Sequence, residues 1–154
     1  MEVAFMYQLV QSSRAALLRY CETLPPAALL QPLPSFNDSS MRDLMVHIAN
    51  AYRHWLENFG LHQERPYFDP EACQTVEDLR ALFMTSDQLV DEFMQTYEGR
   101  WSDVVINTIR GKRLEITPLT LFTHVITHEF HHKGQILSMS RQLGYTPVDT
   151  DVIR

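Results

Sequence analysis

The chain has 154 residues, 45% of them hydrophobic and 21% charged, with a net charge of −6. This length and composition predict one folded domain, residues 1–154, and exclude a disordered chain. The acidic balance disfavours a nucleic-acid partner, and no apolar run reaches the roughly 18 residues of a membrane-spanning helix, so no membrane partner is expected either.

The N-terminal segment and the cysteines favour a cytoplasmic protein. Residues 1–10 contain Glu2 and no basic cluster, so no secretory signal is predicted. Cys21 and Cys73 form no C-x-x-C pair and no disulfide framework, and they are more typical of small buried hydrophobes.

Two amphipathic helices are predicted in the first half of the chain. Apolar residues at helical spacing cover about Glu2 to Glu22, and Pro25-Pro26 ends this helix. The second helix starts near Ser40, with Asp43 placed as a capping-box partner, and its apolar stripe extends to Gly60.

The third helix is predicted to begin at Thr75 and to end before Gly99. The next segment changes period: Val104 to Ile109 and Lys112 to Ile116 are β-prone and flank Arg110-Gly111. This pattern predicts either a short hairpin or an extended loop.

The fourth helix has Thr117 as its predicted N-cap and Pro118 at its first position, and it ends near Leu143, before Gly144. Residues 145–154 are expected to be extended. Four helices with one apolar stripe each predict an all-α four-helix bundle, because bundling buries all the stripes together.

Histidine is concentrated on the fourth helix. His124, His128 and His132 are spaced by four residues, which places them on one face, whereas His131 points elsewhere. On a helical wheel they lie about 120°, 80° and 40° from the centre of the apolar stripe. A histidine pair at i, i+4 can bind one metal ion, and a pair at the border of the core suits an ion that solvent reaches. We therefore predict His128 and His132 as metal ligands.

A third ligand has to come from another helix. His47, His54 and His62 are the candidates on or after the second helix. His47 flanks the apolar stripe, His54 lies slightly further round, and His62 follows Gly60 in an expected loop. Helical spacing favours His47 only modestly over His54.

Glu129 completes a literal H-E-x-x-H pattern at positions 128–132. It falls near the centre of the apolar stripe, where an unpaired carboxylate is costly. We predict a catalytic role for Glu129, as a general base or as a partner of a ligand histidine; the alternative is a salt bridge to an arginine or lysine. A zincin-type peptidase is disfavoured, because no strand-rich lobe precedes the motif and no further ligand follows at the usual distance.

Two segments resemble a known family. Residues 121–136, LFTHVITHEFHHKGQI, followed by RQLG at 141–144, are similar to the last-helix signature of the DinB/YfiT-like superfamily. Residues 43–56, DLMVHIANAYRHWL, resemble its second-helix signature. The order and spacing of elements fit along nearly the whole chain; Lys133 stands where relatives often carry arginine.

The resemblance implies an up-down-down-up four-helix bundle with a long connection between the second and third helices. It also implies a divalent metal, often nickel or zinc, held by His47, His128 and His132, and so it selects His47 over His54. Homodimers are common in the family, so we expect a homodimer. Characterised relatives include transferases and isomerases that use bacillithiol or mycothiol.

We therefore expect a divalent-metal-dependent enzyme that acts on a small-molecule substrate, with a low-molecular-weight thiol in an S-transfer reaction as the candidate. Zinc or nickel is the expected ion, although three imidazoles also accept iron or cobalt. The alternatives are a metal-dependent hydrolase and a non-catalytic, metal-binding, stress-associated bundle.

Overall fold

The computed structural model describes residues 2–154 and contains five α-helices and one antiparallel pair of strands within that range. A π-helical segment, Arg53–Gly60, continues α3 without a break. The bounds are α1 Glu2–Glu22, α2 Pro26–Leu30, α3 Met41–Tyr52, α4 Val76–Thr96, α5 Pro118–Gln142, β1 Val105–Ile109 and β2 Lys112–Ile116.

The predicted helix starts are confirmed. Ser40 and Asp43 form a reciprocal capping box at the start of α3, and Thr75 forms the same motif at the start of α4. The Thr117 side chain accepts a hydrogen bond from the backbone of Thr120 at the start of α5. Each cap satisfies amide groups that have no partner inside the helix, so the helix begins at a fixed residue.

Two local features were not predicted. Pro25-Pro26 ends α1 as expected, but Pro26 also opens the short helix α2, because proline suits the first turn of a helix. The helix that follows Ser40 reaches Gly60 as predicted, yet its last eight residues are π-helical. An apolar stripe shows where a helix lies but not which backbone hydrogen-bond pattern it uses.

Contacts between helices establish the topology. Tyr7 and Glu22 of α1 bind Asp87 and Arg80 of α4, respectively, so α1 and α4 are antiparallel. Arg14 and Tyr20 of α1 bind Glu129 and Ser140 of α5, respectively, so α1 and α5 are parallel. The rings of His47 and His132 meet, as do those of Trp55 and His124, so α3 is antiparallel to α5. The expected up-down-down-up bundle is confirmed.

The long connection between α3 and α4 follows from this topology. Parallel neighbours need a return path, and residues 61–75 run back along α3 with one 3₁₀ turn, Pro70–Ala72. Side chains of α3 and its π-helical extension bind the returning chain in reverse order: Asn58 with Arg65, Asn50 with Phe68 and Arg42 with Cys73.

The segment before α5 is a hairpin rather than a loop. β1 pairs with β2 in the register Ile109↔Lys112, which leaves Arg110 and Gly111 as a two-residue turn. Both have positive φ, 51° and 76°, as a type I′ hairpin turn requires. The Asn107 side chain donates to the carbonyl oxygens of Asn58 and Phe59, so the hairpin is fastened to the end of the π-helical segment.

Aliphatic and aromatic side chains fill the space between the four long helices, and the largest fully buried ones include Tyr7, Tyr52, Phe59, Phe93 and Phe122. Of the helices described between residues 2 and 154, none combines the length and the apolar character that crossing a membrane requires.

We expect Gly60→Ala to destabilise the fold by about 1–3 kcal/mol, as overpacking does in a dense core. A Cβ at this position would lie 2.6 Å from Phe93 Cε2 and 3.2 Å from the backbone oxygen of Trp55. Urea unfolding of the purified variant measures the effect. Gly134→Ala is the matched control: nothing lies within 4 Å of its Cβ, so this exposed position in α5 should gain about 0.5–1 kcal/mol. Equal free energies of unfolding for the two variants would contradict the prediction.

Candidate metal centre

Three histidines from two helices converge at the border of the core. α3 contributes His47, and α5 contributes His128 and His132 one turn apart. Each offers one ring nitrogen, and the three nitrogens lie within 4.8 Å of one another. The structure thus brings together the three histidines that the family resemblance selected, and their geometry is compatible with one shared metal ion.

The two histidines of α5 are oriented for a common ion. His128 Nε2 and His132 Nε2 are 3.1 Å apart. Two nitrogens that bind one ion at about 2.1 Å stand about 3.0 Å apart at a ligand angle of 90° and about 3.4 Å apart at the tetrahedral angle. On the far side of the ring, His132 Nδ1 lies 2.6 Å from Gln135 Oε1. In the tautomer with the proton on Nδ1, this nitrogen donates to the amide oxygen and Nε2 presents its lone pair to the site.

His128 lacks a corresponding support. Its Nδ1 is buried and has no hydrogen-bond partner among the described residues. A hydrogen bond to Gln135 therefore supports the ring of His132, whereas the ring of His128 is held by packing.

Burial keeps the three imidazoles neutral. It lowers the pKa of His47 and of His132, and together with the neighbouring histidines it lowers the pKa of His128 to about 4. At neutral pH the ring nitrogens therefore keep the lone pairs that metal binding needs.

One side of the centre is open. His47 is exposed, and a cavity of about 400 Å³ extends from it along α3. The cavity is lined by His47, Asn50, Ala51, His54, Trp55, Tyr67, Arg110 and His128. Within residues 2–154 no fourth histidine, cysteine or carboxylate joins the group. Three protein ligands with room for a further one are typical of a catalytic rather than a structural metal site.

The other candidate histidines lie outside this group. His54 Nδ1 is 2.6 Å from the Tyr67 hydroxyl, and the His54 ring packs edge-on against Trp55. His62 has φ of 55° in the long connection, and its Nδ1 is 3.2 Å from the Asn107 amide. Of the remaining two, His124 also packs against Trp55, with the ring centroids 5.1 Å apart, whereas His131 is exposed.

Glu129 lies in the core, 3% exposed, and is not among the residues that line the cavity. Its two carboxylate oxygens accept hydrogen bonds from Arg14 at 2.8 and 2.9 Å, and the Tyr52 hydroxyl donates to it at 2.6 Å. Arg14 also binds Asp87 and Tyr7, so one buried network joins all four long helices. These contacts form the salt bridge to an arginine that was the alternative interpretation of Glu129. The catalytic role stays a prediction, and the burial of Glu129 away from the cavity does not favour it.

Sequence reasoning missed three residues of the site. Gln135 follows His132 at i+3, so helical spacing could have found it. Tyr67 comes from the long connection and Arg110 from the hairpin turn, and no local pattern links either residue to the histidines.

The comparisons with known proteins agree with this architecture. The DinB family model matches residues 1–154. Protein DinB of Bacillus subtilis strain 168 is 24% identical over an alignment that covers 73% of this chain and 69% of the relative. A DinB-like crystal structure from Bacillus cereus ATCC 10987 has a TM-score of 0.68 at 19% identity, covering 93% of each chain. A DinB-like structure from Bacillus subtilis has a TM-score of 0.62 at 19% identity, covering 94% of this chain and 97% of its own.

The two structural likenesses support the fold, and the family match spans every residue from 1 to 154. Together with the bundle topology, these comparisons show that the chain belongs to the DinB family.

Proposed function

We propose that this protein is a divalent-metal-dependent enzyme with His47, His128 and His132 as its ligands. The observation that carries the proposal is the convergence of three neutral imidazoles beside an open cavity of about 400 Å³. A closed site would instead favour a structural metal. Zinc and nickel are the proposed ions, since imidazole suits both.

For the reaction we propose transfer of a small-molecule thiol to an electrophile. A divalent ion lowers the pKa of a coordinated thiol, which supplies a thiolate at neutral pH. In such a transfer the thiol proton passes to water at the open side, and the sulfur forms a bond to the electrophilic carbon. The group that leaves this carbon takes the bonding electron pair with it.

The surroundings of the centre support thiol transfer over peptide hydrolysis. An H-E-x-x-H peptidase uses its glutamate as a general base close to the ion. Here that glutamate, Glu129, is buried and bound by Arg14 and Tyr52, and the cavity lining contains no carboxylate. Of the residues that line the cavity, His47 and His128 are two of the three proposed ligands, and Trp55 and Ala51 form an apolar wall.

A thermal-shift experiment tests the proposal. Protein loaded with zinc or nickel is heated with a panel of low-molecular-weight thiols and with the corresponding alcohols. A thiol at about 100 times its Kd should raise Tm by about 5 to 10 °C, because ligand binding to the folded state adds about 2.7 kcal/mol. The alcohols, and the thiols added to chelator-treated protein, should give no comparable shift.

Two results would count against the proposal in different ways. If the protein takes up no zinc or nickel, the proposed metal centre is wrong. If it takes up metal but no thiol raises Tm, the proposed thiol substrate is wrong, and other metal-dependent reactions remain. The homodimer and the small-molecule partner stay predictions.

A further inference from the structure

The cavity beside the histidines has an unusual charge for this chain. The protein carries a net charge of −6, yet the lining contains one arginine, Arg110, and no aspartate or glutamate. The three ligand candidates are neutral, so a bound divalent ion would make the cavity more positive still. A cavity of this charge favours an anionic occupant.

Arg110 is placed by the hairpin turn. It occupies a position with φ of 51° next to Gly111, and the fastening of β1 through Asn107 holds the turn beside the π-helical segment. Its side chain forms no hydrogen bond or ion pair with any residue from 2 to 154. By contrast, Arg65 on the nearby connection lies 3.5 Å from the carboxylate of Glu57. Arg110 is thus a cation whose hydrogen-bond donors are available to a ligand.

Arg110 also stands where two cavities meet. A second cavity of about 610 Å³ extends away from the histidines and shares His54, Tyr67 and Arg110 with the first. The charge of Arg110 contributes, after burial, to the lowered pKa of His54, which agrees with their proximity. Glu64 and Arg65 both line the outer cavity, and Arg65 already lies 3.5 Å from the Glu57 carboxylate, so Arg110 at the junction is the cation that remains for an anion.

We propose that Arg110 binds an oxyanion of the substrate, a carboxylate or a phosphate, while another part of the same molecule reaches the three-histidine centre. The Tyr67 hydroxyl donates to the same oxyanion in the tautomer in which His54 Nδ1–H donates to the Tyr67 oxygen. A guanidinium presents several donors in a plane that match an oxyanion, and such charge-assisted hydrogen bonds are stronger than neutral ones. This inference rests on the proposed function, because it concerns the substrate of the metal centre: Arg110 would bind the end of that substrate that lies away from the ion.

The test compares ω-mercaptocarboxylic acids with their primary amides, which have nearly the same shape but no charge. Both are titrated into the Co(II)-loaded protein, and the thiolate-to-cobalt absorption band gives the Kd. The acid of the best-fitting chain length should bind about ten- to hundredfold more tightly than its amide. The corresponding phosphonic acids show which of the two oxyanions the protein prefers.

Two variants locate the effect. Arg110→Gln should remove the preference for the acid and leave the affinity for the amide unchanged. Lys112→Gln is the matched control, because it removes the same charge from the same hairpin but from a residue that lines neither cavity. It should keep the preference. The cobalt content of both variants should equal that of the wild type.

The proposal is overturned if acid and amide bind wild-type protein equally, or if both variants weaken acid binding to the same extent. A failure of the thiol reaction itself looks different: cobalt binds, and no thiol produces the absorption band. In that case, binding at Arg110 is tested with carboxylic and phosphonic acids that lack sulfur. The readout is the NMR signal of the Arg110 Nε–H group, which is assigned by its loss in Arg110→Gln. A shift of that signal supports the oxyanion site, and an unchanged signal excludes it.

Discussion

Alanine at position 47, 128 or 132 is expected to lower the affinity for zinc or nickel by at least about a hundredfold. Losing even the partner that orients a ligand costs about 10- to 100-fold, so losing the ligand itself should cost more. The three ring nitrogens lie within 4.8 Å of one another, and among residues 2–154 no fourth histidine, cysteine or carboxylate belongs to the group to replace a lost ligand. Metal content after dialysis against a buffered, limiting concentration of the ion measures the effect.

His54→Ala is the matched control. His54 follows His47 along the same helical rod and lines the same cavity, but its Nδ1 is engaged with Tyr67. Metal content should be unchanged in this variant. Equal loss in the variants of His54 and His47 would mean that the substitutions act through the cavity as a whole, and a normal content in His47→Ala would transfer the ligand role to another residue.

Gln135→Ala gives a graded comparison in the same assay. Its side-chain oxygen lies 2.6 Å from His132 Nδ1, on the far side of the ring from the Nε2 that approaches His128. The expected loss of affinity is about 10- to 100-fold, smaller than for any ligand variant. A loss as large as that of His132→Ala would show that Gln135 holds more than the ring orientation.

Glu129→Gln is expected to destabilise the folded protein by about 3–5 kcal/mol. Removing one partner of a buried ion pair is strongly destabilising, and here it leaves the buried Arg14 charge with only the half-buried Asp87 to compensate it. Arg14 is 4% exposed and donates two hydrogen bonds to the Glu129 carboxylate, and Asp87, its second partner, is half-buried. Glutamine keeps the size of the side chain but not its charge. Urea unfolding of the metal-free protein measures the change without any contribution from a bound ion.

Glu115→Gln provides the control for loss of one negative charge. Its pair with Arg113 is largely solvent-exposed, with side chains 54% and 64% accessible, and exposed pairs contribute about 0–1 kcal/mol. If Glu129→Gln unfolds at the same urea concentration as the wild type, the buried network does not stabilise the bundle. If the variant is as stable as the wild type but the metal-loaded protein loses turnover, this result supports the predicted catalytic role of Glu129.

The third ligand shows where sequence reasoning stopped. Spacing placed both His47 and His54 beside the apolar stripe of the same helix, and only the family resemblance chose between them. In the structure, His47 lies in the regular part of α3, whereas His54 lies in the π-helical segment. A π-helix has more residues per turn than an α-helix, so the side-chain directions of that segment depart from the wheel on which the prediction relied.

Local signals determined most of the secondary structure. The long helices, their caps, the hairpin and the pairing of His128 with His132 depend on residues within a few positions of one another, and their spacing is visible in the sequence. The tertiary structure alone decided that Glu129 meets Arg14, 115 positions away, and that Tyr67 and Arg110 join the histidine cavity. Those contacts depend on how helices and connections are rotated and aligned against one another, and the period of a single helix or strand carries no information about that alignment.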